Sequence, residues 1–146
     1  MEKDYIEFKL PSNVCYIESV RVFIGKLSET LGFPKKRTAD IQLALDEICS
    51  NAVNHGSMST ESGIKIQITV HKRFLELMVS DTGGKNTKNW FTPEKLAEIQ
   101  ARRTPEGEGG HGLYLIECLT DGHKLQANKY GGTDVTILFN RTNEVG

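Results

Sequence analysis

Two neighbouring stretches, the first with a strict alternation of apolar and polar residues, constrain the fold of this chain most strongly. They lie at residues 64–70 and 75–80, with a short turn between them. Successive side chains of a strand point to opposite faces of a sheet, so the pattern predicts strands with one buried and one exposed face. A short turn between two such strands favours antiparallel pairing. We therefore expect two neighbouring antiparallel strands that share one apolar face.

A strand and an amphipathic helix are predicted ahead of this pair. Residues 5–10 alternate in the same way and predict a first strand. Pro11 and Ser12 are expected to end that strand and to start a helix. Apolar residues then recur every three or four positions, which indicates a helix with one buried stripe that ends near Gly32.

A second helix is predicted after residues 33–37, a basic segment that we expect to be a solvated loop. Thr38 is the expected N-cap, because its hydroxyl can accept a hydrogen bond from a free backbone N–H of the first turn. Apolar residues along one stripe extend the helix to about His55, and Gly56 is expected to terminate it.

The rest of the chain completes an α+β fold. A third helix at 113–119 and two strands at 124–129 and 133–139 follow a polar segment, residues 83–110, which is glycine-rich at both ends. So long an excursion is more typical of a functional lid than of an ordinary connection. The order of elements predicts a single domain over residues 1–146. Its expected architecture is a two-layer sandwich, with helices on one face of a mixed, largely antiparallel sheet.

The composition narrows the class of protein. A net charge of −1 gives no electrostatic reason to expect a nucleic-acid or membrane surface. No stretch approaches the ~20 apolar residues that span a bilayer, and no apolar segment opens the chain. Cys15, Cys49 and Cys118 show no metal-ligand spacing and are expected to be reduced and mostly buried. We expect a cytoplasmic protein that binds neither membranes nor, directly, nucleic acid.

Three polar residues of the second helix form the first candidate site. Glu47, Asn51 and Asn54 are spaced by four and three residues, so they share one face of the helix. Asn has weak helix propensity, which indicates a purpose other than helix formation. An exposed polar face with an Asn near the helix end explains the same pattern, and on this helix alone both interpretations stay open.

Two glycine-containing motifs and a threonine form the rest of the candidate site. Asp81 can accept a hydrogen bond from an exocyclic amine, while Gly83 and Gly84 let the backbone approach a flat ring. The glycine-rich segment 107–113 opens a helix, where free N–H groups and the helix dipole favour an anion. Thr133 opens the last strand after two glycines. A plain turn, a lid hinge and a hairpin are the alternative interpretations of these three motifs.

In order and spacing, these motifs resemble the GHKL superfamily of ATPases, which share the Bergerat ATP-binding fold. The chain is most similar to the small stand-alone anti-sigma-factor serine/threonine kinases of bacterial partner-switching systems. The resemblance extends from the first strand to about Phe139, and residues 40–56 carry its most specific part. There, Glu47 and Asn51 form a Glu-x-x-x-Asn pattern, and an Asn-His-Gly sequence follows it.

The resemblance implies a binding site for ATP and Mg²⁺. It implies that Asn51 coordinates the Mg²⁺ and that Glu47 is the general base for the attacking hydroxyl. It also implies that Asp81 bonds the adenine amine, with Thr133 in support through a water molecule. Backbone N–H groups at the start of the glycine-rich helix would contact the phosphates. The implied cofactor-binding residues are Asn51, Asn54, Asp81, Gly83, Gly110, His111, Gly112, Leu113 and Thr133.

The function implied by the resemblance is phosphorylation of a small antagonist protein and sequestration of a sigma factor, by a homodimer formed through the first strand. Lys85 stands where the first glycine motif of the family commonly has its last glycine. A nucleotide-responsive protein-binding module without phosphotransfer therefore remains the alternative. Arg102 and Arg103 could bring positive charge to the γ-phosphate, although both also suit a solvated helix end.

Overall fold

The computed structural model describes residues 3–55, 63–82 and 111–141. Five strands and three helices lie within these residues. In chain order they are β1 (Asp4–Pro11), α1 (Ile17–Thr30), α2 (Lys35–His55), β2 (Gly63–Val70), β3 (Phe74–Ser80), α3 (His111–Leu119), β4 (Gly122–Ala127) and β5 (Thr133–Asn140). The predicted lid at 83–110 and the predicted helix stop at Gly56 lie outside the described residues.

The strands form one five-stranded sheet in the order β1-β2-β3-β5-β4. The predicted antiparallel pairing of β2 with β3 is confirmed, with Ile66 opposite Val79. All four strand pairings among the described residues are antiparallel, so the expectation of a mixed sheet is corrected. The reason is that β5 returns antiparallel to β4 and is inserted between β4 and β3, so neither of its neighbours runs parallel to it.

The core lies between one face of this sheet and the three helices. In β2, β3 and β5, buried residues alternate with half-buried ones, as the period-two pattern predicts. α2 packs against α1, α3, β3 and β5, so it is the central helix of the second layer. The predicted two-layer α+β architecture is therefore confirmed. The buried side chains that join the two layers include Ile24, Ile41, Leu45, Ile48, Ile66, Ile68, Leu77, Ile137 and Phe139.

Both predicted helix starts were wrong, because local hydrogen bonds override the pattern. β1 includes Pro11, and the side chain of Asn13 accepts a hydrogen bond from the N–H of Cys15, which caps a short 3-10 turn before α1. Thr38 is not an N-cap. Its N–H already donates to the Pro34 carbonyl at 2.9 Å, so helical bonding begins at Pro34, whose ring presets a helical φ.

The basic segment at 33–37 is also not a solvated loop, because Arg37 lies in the first turn of α2 and joins it to α3. The Arg37 guanidinium donates to Asp40 at 3.0 Å, to the Leu119 carbonyl at 2.6 Å and to Asp121 at 2.8 Å. It also lies over the ring of Phe139, 4.9 Å from the ring centroid. This residue therefore links the start of α2 to the end of α3 and to β5.

The expected burial holds for one of the three cysteines. Cys49 is fully buried in α2, whereas Cys15 and Cys118 are exposed, and all three are free thiols. Burial, and after it the nearby Asp46 carboxylate, raise the pKa of the Cys49 thiol. Cys49 therefore packs as a small apolar side chain.

Among the described helices, none has the length and apolar character needed to traverse a bilayer.

Candidate functional site

The carboxylate of Asp81 lies buried where β3 ends, against the first residue of β5. Its side chain follows Val79 on the helix-facing side of the sheet, and Asp81 is only 3% exposed. The N–H of Asp81 donates to the Thr133 carbonyl at 3.1 Å, and the N–H of Thr133 donates to Asp81 Oδ1 at 3.1 Å. A side-chain oxygen thus replaces a backbone carbonyl at the end of the ladder, which fixes the carboxylate relative to both strands.

Beside this carboxylate, the hydroxyl of Thr133 is buried and lacks a hydrogen-bond partner within the described residues. An unpaired buried hydroxyl costs about 1–3 kcal/mol, so such a group calls for an explanation. A polar ligand or a water molecule that bridges to a ligand would supply the missing bond. The pairing of Asp81 with Thr133 is thus chemically suited to a ligand that offers hydrogen-bond donors, such as an amino-substituted ring.

The turn between β4 and β5 is built around the side chain of Asn128. Its Oδ1 accepts from the N–H groups of Tyr130 at 3.0 Å and Gly132 at 2.9 Å. Its Nδ2 donates to the Asp81 carbonyl at 2.8 Å and to Asp134 Oδ1 at 3.0 Å. No role for Asn128 was predicted from the sequence. The available signal was an Asn shortly before two glycines, a setting in which Asn side chains bond nearby backbone.

Two glycines of the same turn are needed for different reasons. Gly131 has φ of +85°, a conformation that residues other than Gly rarely adopt. Gly132 has no such φ, but a Cβ placed on it would overlap the carbonyl oxygen and Oδ1 of Asp81. The close approach of this turn to Asp81 therefore requires a residue without a side chain at position 132.

The three candidate residues of α2 share one side of that helix, as predicted. Glu47 and Asn51 are half-buried, and Asn54 is exposed. The adjacent side of α2 carries buried residues, among them Leu45 and Ile48. The polar side therefore borders the packed core, which holds it in place.

The start of α3 points toward this polar side. The bond from Arg37 to the Leu119 carbonyl places the first turn of α2 beside the end of α3. Because α2 and α3 also pack against each other, α3 has to run back along α2. A nine-residue helix is about 12 Å long from its first to its last residue, which equals about eight residues of α2, so His111 lies near the level of Leu45 and Glu47.

Several predicted site residues cannot be placed. Gly83, Gly110, Lys85, Arg102 and Arg103 lie outside the described residues. The backbone of His111, Gly112 and Leu113 forms the first turn of α3, and their side chains lie outside the description.

A cavity of about 570 Å³ opens on the other face of the sheet, away from the helices. Its lining includes Lys65, Gln67, Met78 and Ser80, whose side chains point away from the core, and it also includes Asp81 and Asn128. Glu47 and Asn51 lie on the far side of the sheet from this cavity. We therefore assign the site to the helix-facing side, where the buried Thr133 hydroxyl lies.

Comparison with known proteins supports the family and the fold that the sequence predicts. The family described as the histidine kinase-like ATPase domain matches residues 10–139. The serine-protein kinase RsbW of Oceanobacillus iheyensis is 34% identical over 135 residues, which cover 88% of this chain and 82% of the relative. The serine-protein kinase RsbW of Bacillus subtilis (strain 168) is 30% identical over 130 residues, 84% of this chain and 78% of the relative.

A crystal structure of the RsbU and RsbW domains of a Mycobacterium tuberculosis protein has the same fold. It superimposes with a TM-score of 0.65 at 20% identity, over 93% of this chain and 31% of that chain. The family expected from the sequence is thus confirmed by matches over most of the chain. This protein belongs to the histidine kinase-like ATPase domain family and, within it, to the RsbW serine-protein kinases.

Proposed function

We propose that this chain is an ATP-dependent serine/threonine protein kinase and anti-sigma factor, which phosphorylates a small antagonist protein and sequesters a sigma factor. The observation that carries the proposal is the placement of two groups on one side of the sheet. Glu47 and Asn51 lie on α2, and α2 packs against β3 and β5, at whose ends Asp81 and Thr133 are paired. One bound ATP can therefore reach both groups.

Asp81 and Thr133 recognise the adenine base in this proposal. The Asp81 carboxylate accepts a hydrogen bond from the exocyclic amine, and the Thr133 hydroxyl completes its bonding through a water molecule. Burial strengthens such a bond, because no bulk water competes for the carboxylate. The unpaired Thr133 hydroxyl supports this role, since the ligand satisfies a group that the folded chain leaves unsatisfied.

Asn51 holds the Mg²⁺ that ATP carries, through its side-chain carbonyl oxygen. Mg²⁺ takes oxygen ligands and keeps several waters, so one amide oxygen together with phosphate oxygens is sufficient. The metal neutralises charge on the phosphates. Gly110, His111 and Gly112 direct backbone N–H groups at the phosphates, in keeping with the helix start at His111. Asn54, Gly83 and Leu113 complete the nucleotide site.

Glu47 is the general base for phosphoryl transfer. Its carboxylate takes the proton of the acceptor serine hydroxyl as the serine oxygen bonds to the γ-phosphorus, and the bond to the β–γ bridging oxygen breaks to release ADP. Phosphoryl transfer depends mainly on positioning and charge neutralisation. The half-buried position of Glu47, on a helix that is packed on the core, supports this role.

The test uses the purified chain, radiolabelled ATP and a small antagonist protein encoded by a neighbouring gene. We expect label on an antagonist serine with the wild-type chain. Glu47→Gln should lower the rate at least about a hundredfold, because general bases contribute on this scale, while ATP affinity stays within about threefold. The matched control is Glu29→Gln, at an exposed carboxylate on α1, which should leave the rate unchanged.

An unlabelled antagonist in the presence of bound ATP would contradict the kinase assignment. If the Glu47→Gln chain nevertheless regulated its partner as the wild type does, the alternative function would apply: a binding module whose partner affinity responds to nucleotide.

The proposal also includes a cytoplasmic homodimer, a lid at 83–110 and a single domain over the whole chain. β1 is an edge strand of the sheet, with Tyr5 53% exposed, so its outer edge is available for pairing with a second copy. Sedimentation equilibrium tests the dimer, and a mass of one chain at micromolar concentration would contradict it. Co-elution with a sigma factor in size-exclusion chromatography tests the second partner.

A further inference from the structure

We propose that Asn128 is a positioning residue for recognition of the nucleotide base, because its side-chain amide sets the position of Asp81. This inference rests on the proposed function, in which Asp81 accepts a hydrogen bond from adenine. Asn128 itself lies in the turn after β4 and needs no contact with the nucleotide.

The bonding capacity of the Asn128 amide is fully used. A primary amide has two N–H donors and an oxygen with two lone pairs. Nδ2 donates to the Asp81 carbonyl at 2.8 Å and to Asp134 at 3.0 Å. Oδ1 accepts from Tyr130 at 3.0 Å and from Gly132 at 2.9 Å. Only an amide of this length can make all four bonds, because Asp lacks the donors, Gln is longer, and Ser has a single donor.

These four bonds act on the base site from two directions. The bonds to Tyr130 and Gly132 close the turn that delivers Thr133 to the Asp81 carboxylate. The bond to the Asp81 carbonyl restrains the backbone of Asp81 at the point where the regular β3 pairing ends.

Asn128 therefore affects the choice of base through Asp81. A carboxylate that can shift or rotate accepts equally well from several donor positions, whereas a fixed one selects the exocyclic amine of adenine. Loss of the amide should weaken ATP binding and also reduce discrimination against a base with oxygen in place of that amine. If Asn128 were purely structural, its loss would lower the affinity for ATP and the affinity for the oxygen-bearing nucleotide by the same factor.

The experiment compares the binding of ATP and inosine triphosphate, whose base carries an oxygen in place of the amine, by calorimetry. The wild-type chain should prefer ATP. Asn128→Ala should lower that preference about tenfold, as expected for the loss of one well-oriented hydrogen bond. The matched control is Asn140→Ala, at an exposed residue on the opposite end of β5, which should keep the wild-type preference.

A double variant, Asn128→Asp with Asp134→Asn, separates the bonds that close the turn from the bond to the Asp81 carbonyl. It also tests the inference if Asn128→Ala does not fold. The new carboxylate still accepts from Tyr130 and Gly132, and the new amide at 134 donates to it. The bond to the Asp81 carbonyl is lost, and a carboxylate oxygen that repels this carbonyl takes the place of the donor. We expect the preference for ATP to fall in this variant as well.

Three results would overturn the inference. Unchanged affinities for both nucleotides in a folded Asn128→Ala chain, or in the double variant, would show that Asn128 does not act through Asp81. Equal losses of affinity for both nucleotides would reduce Asn128 to a structural residue. A wild-type chain that binds neither nucleotide would instead remove the proposed function, and this inference with it.

Discussion

The two ends of β5 carry polar clusters that are completed in different ways. At the Asn140 end, Asp121 accepts from the N–H of Asn140 at 2.7 Å and from Arg37 at 2.8 Å. At the Thr133 end, Asp81 accepts from the N–H of Thr133, but the adjacent Thr133 hydroxyl is buried and unpaired within the described residues. The first cluster contains its own counter-charge, while the second leaves a hydrogen bond to be made.

In the proposed function, this difference is the one between a structural cluster and a binding site. A buried polar group that is fully paired stabilises the fold and needs nothing further. A buried group without a partner costs stability, and a ligand recovers that cost on binding. We therefore expect substitutions at the Thr133 end to change nucleotide affinity, and substitutions at the Asn140 end to change stability alone.

The largest effect should come from Gly132→Ala at the Thr133 end. The added Cβ would overlap backbone and carboxylate oxygens of Asp81, so the turn has to move away from β3. We expect the free energy of unfolding to fall by about 3 kcal/mol, at the upper end for overpacking. Gly131→Ala is the control: its neighbourhood is open and only its φ of +85° is unfavourable, so about 1 kcal/mol is expected. If urea denaturation showed the same loss of unfolding free energy in both variants, the close approach of residue 132 to Asp81 would be contradicted.

Asp81→Asn should lower ATP affinity about thirtyfold, which corresponds to loss of a hydrogen bond to a charged group. The amide oxygen can still accept from Thr133, but an N–H₂ group then faces the adenine amine. Asp121→Asn is the same substitution at the other end of the sheet and should change ATP affinity less than about twofold. Calorimetric titration measures both, and similar losses in the two variants would remove the distinction between the clusters.

Arg37→Ala should destabilise the chain by about 1.5 kcal/mol without changing ATP affinity. The substitution leaves the Leu119 carbonyl and two carboxylates without their shared donor. Lys26→Ala is the control, because the Lys26–Glu29 pair is long and exposed and should contribute under about 0.5 kcal/mol. A weaker ATP complex in Arg37→Ala, measured at a temperature where the chain is folded, would mean that the two clusters are coupled.

The smallest effect concerns pH at the Asn140 end. Burial acts to raise the pKa of Asp121, but the Asn140 N–H and the Arg37 guanidinium outweigh it and hold this pKa below its ordinary value. The resulting stabilisation is present above about pH 4, the unfolded value, and is lost as the pH falls through the folded pKa. Asp121→Asn should therefore be less stable than wild type near neutral pH by under about 1 kcal/mol, with the gap closing in acid. A stability difference between the two chains that does not change with pH would contradict the stabilising role of the Asp121 carboxylate.

Much of the fold could be predicted because it depends on local patterns. The alternation at 64–70 and 75–80 predicted β2 and β3 and their antiparallel pairing, and the apolar stripes predicted three helices. The errors fell at helix starts, where a single hydrogen bond decides the boundary. Asn13 and Pro34 start the turn and the helix in place of Ser12 and Thr38, and no periodicity carries that information.

The candidate site was predictable to the extent that each residue had a local motif. Glu47 and Asn51 share a helix face by spacing alone, and Asp81 could be placed at a strand end. Asn128 carried only the signal of a turn residue, because its link to the site depends on Asp81, which is distant in sequence, and on Asp134. Arg37 was taken for a loop residue for the same reason, since Asp121 lies far along the chain.

By itself, the sequence determined the family, the α+β class and the motifs from which the nucleotide site is proposed, because these reside in short patterns of spacing and alternation. Only the tertiary structure decided which polar residues meet. It inserted β5 between β3 and β4, and so brought Thr133 to the carboxylate of Asp81 and Asn128 to its backbone carbonyl. Strand order follows from burial of the whole apolar face, a property that no local segment contains.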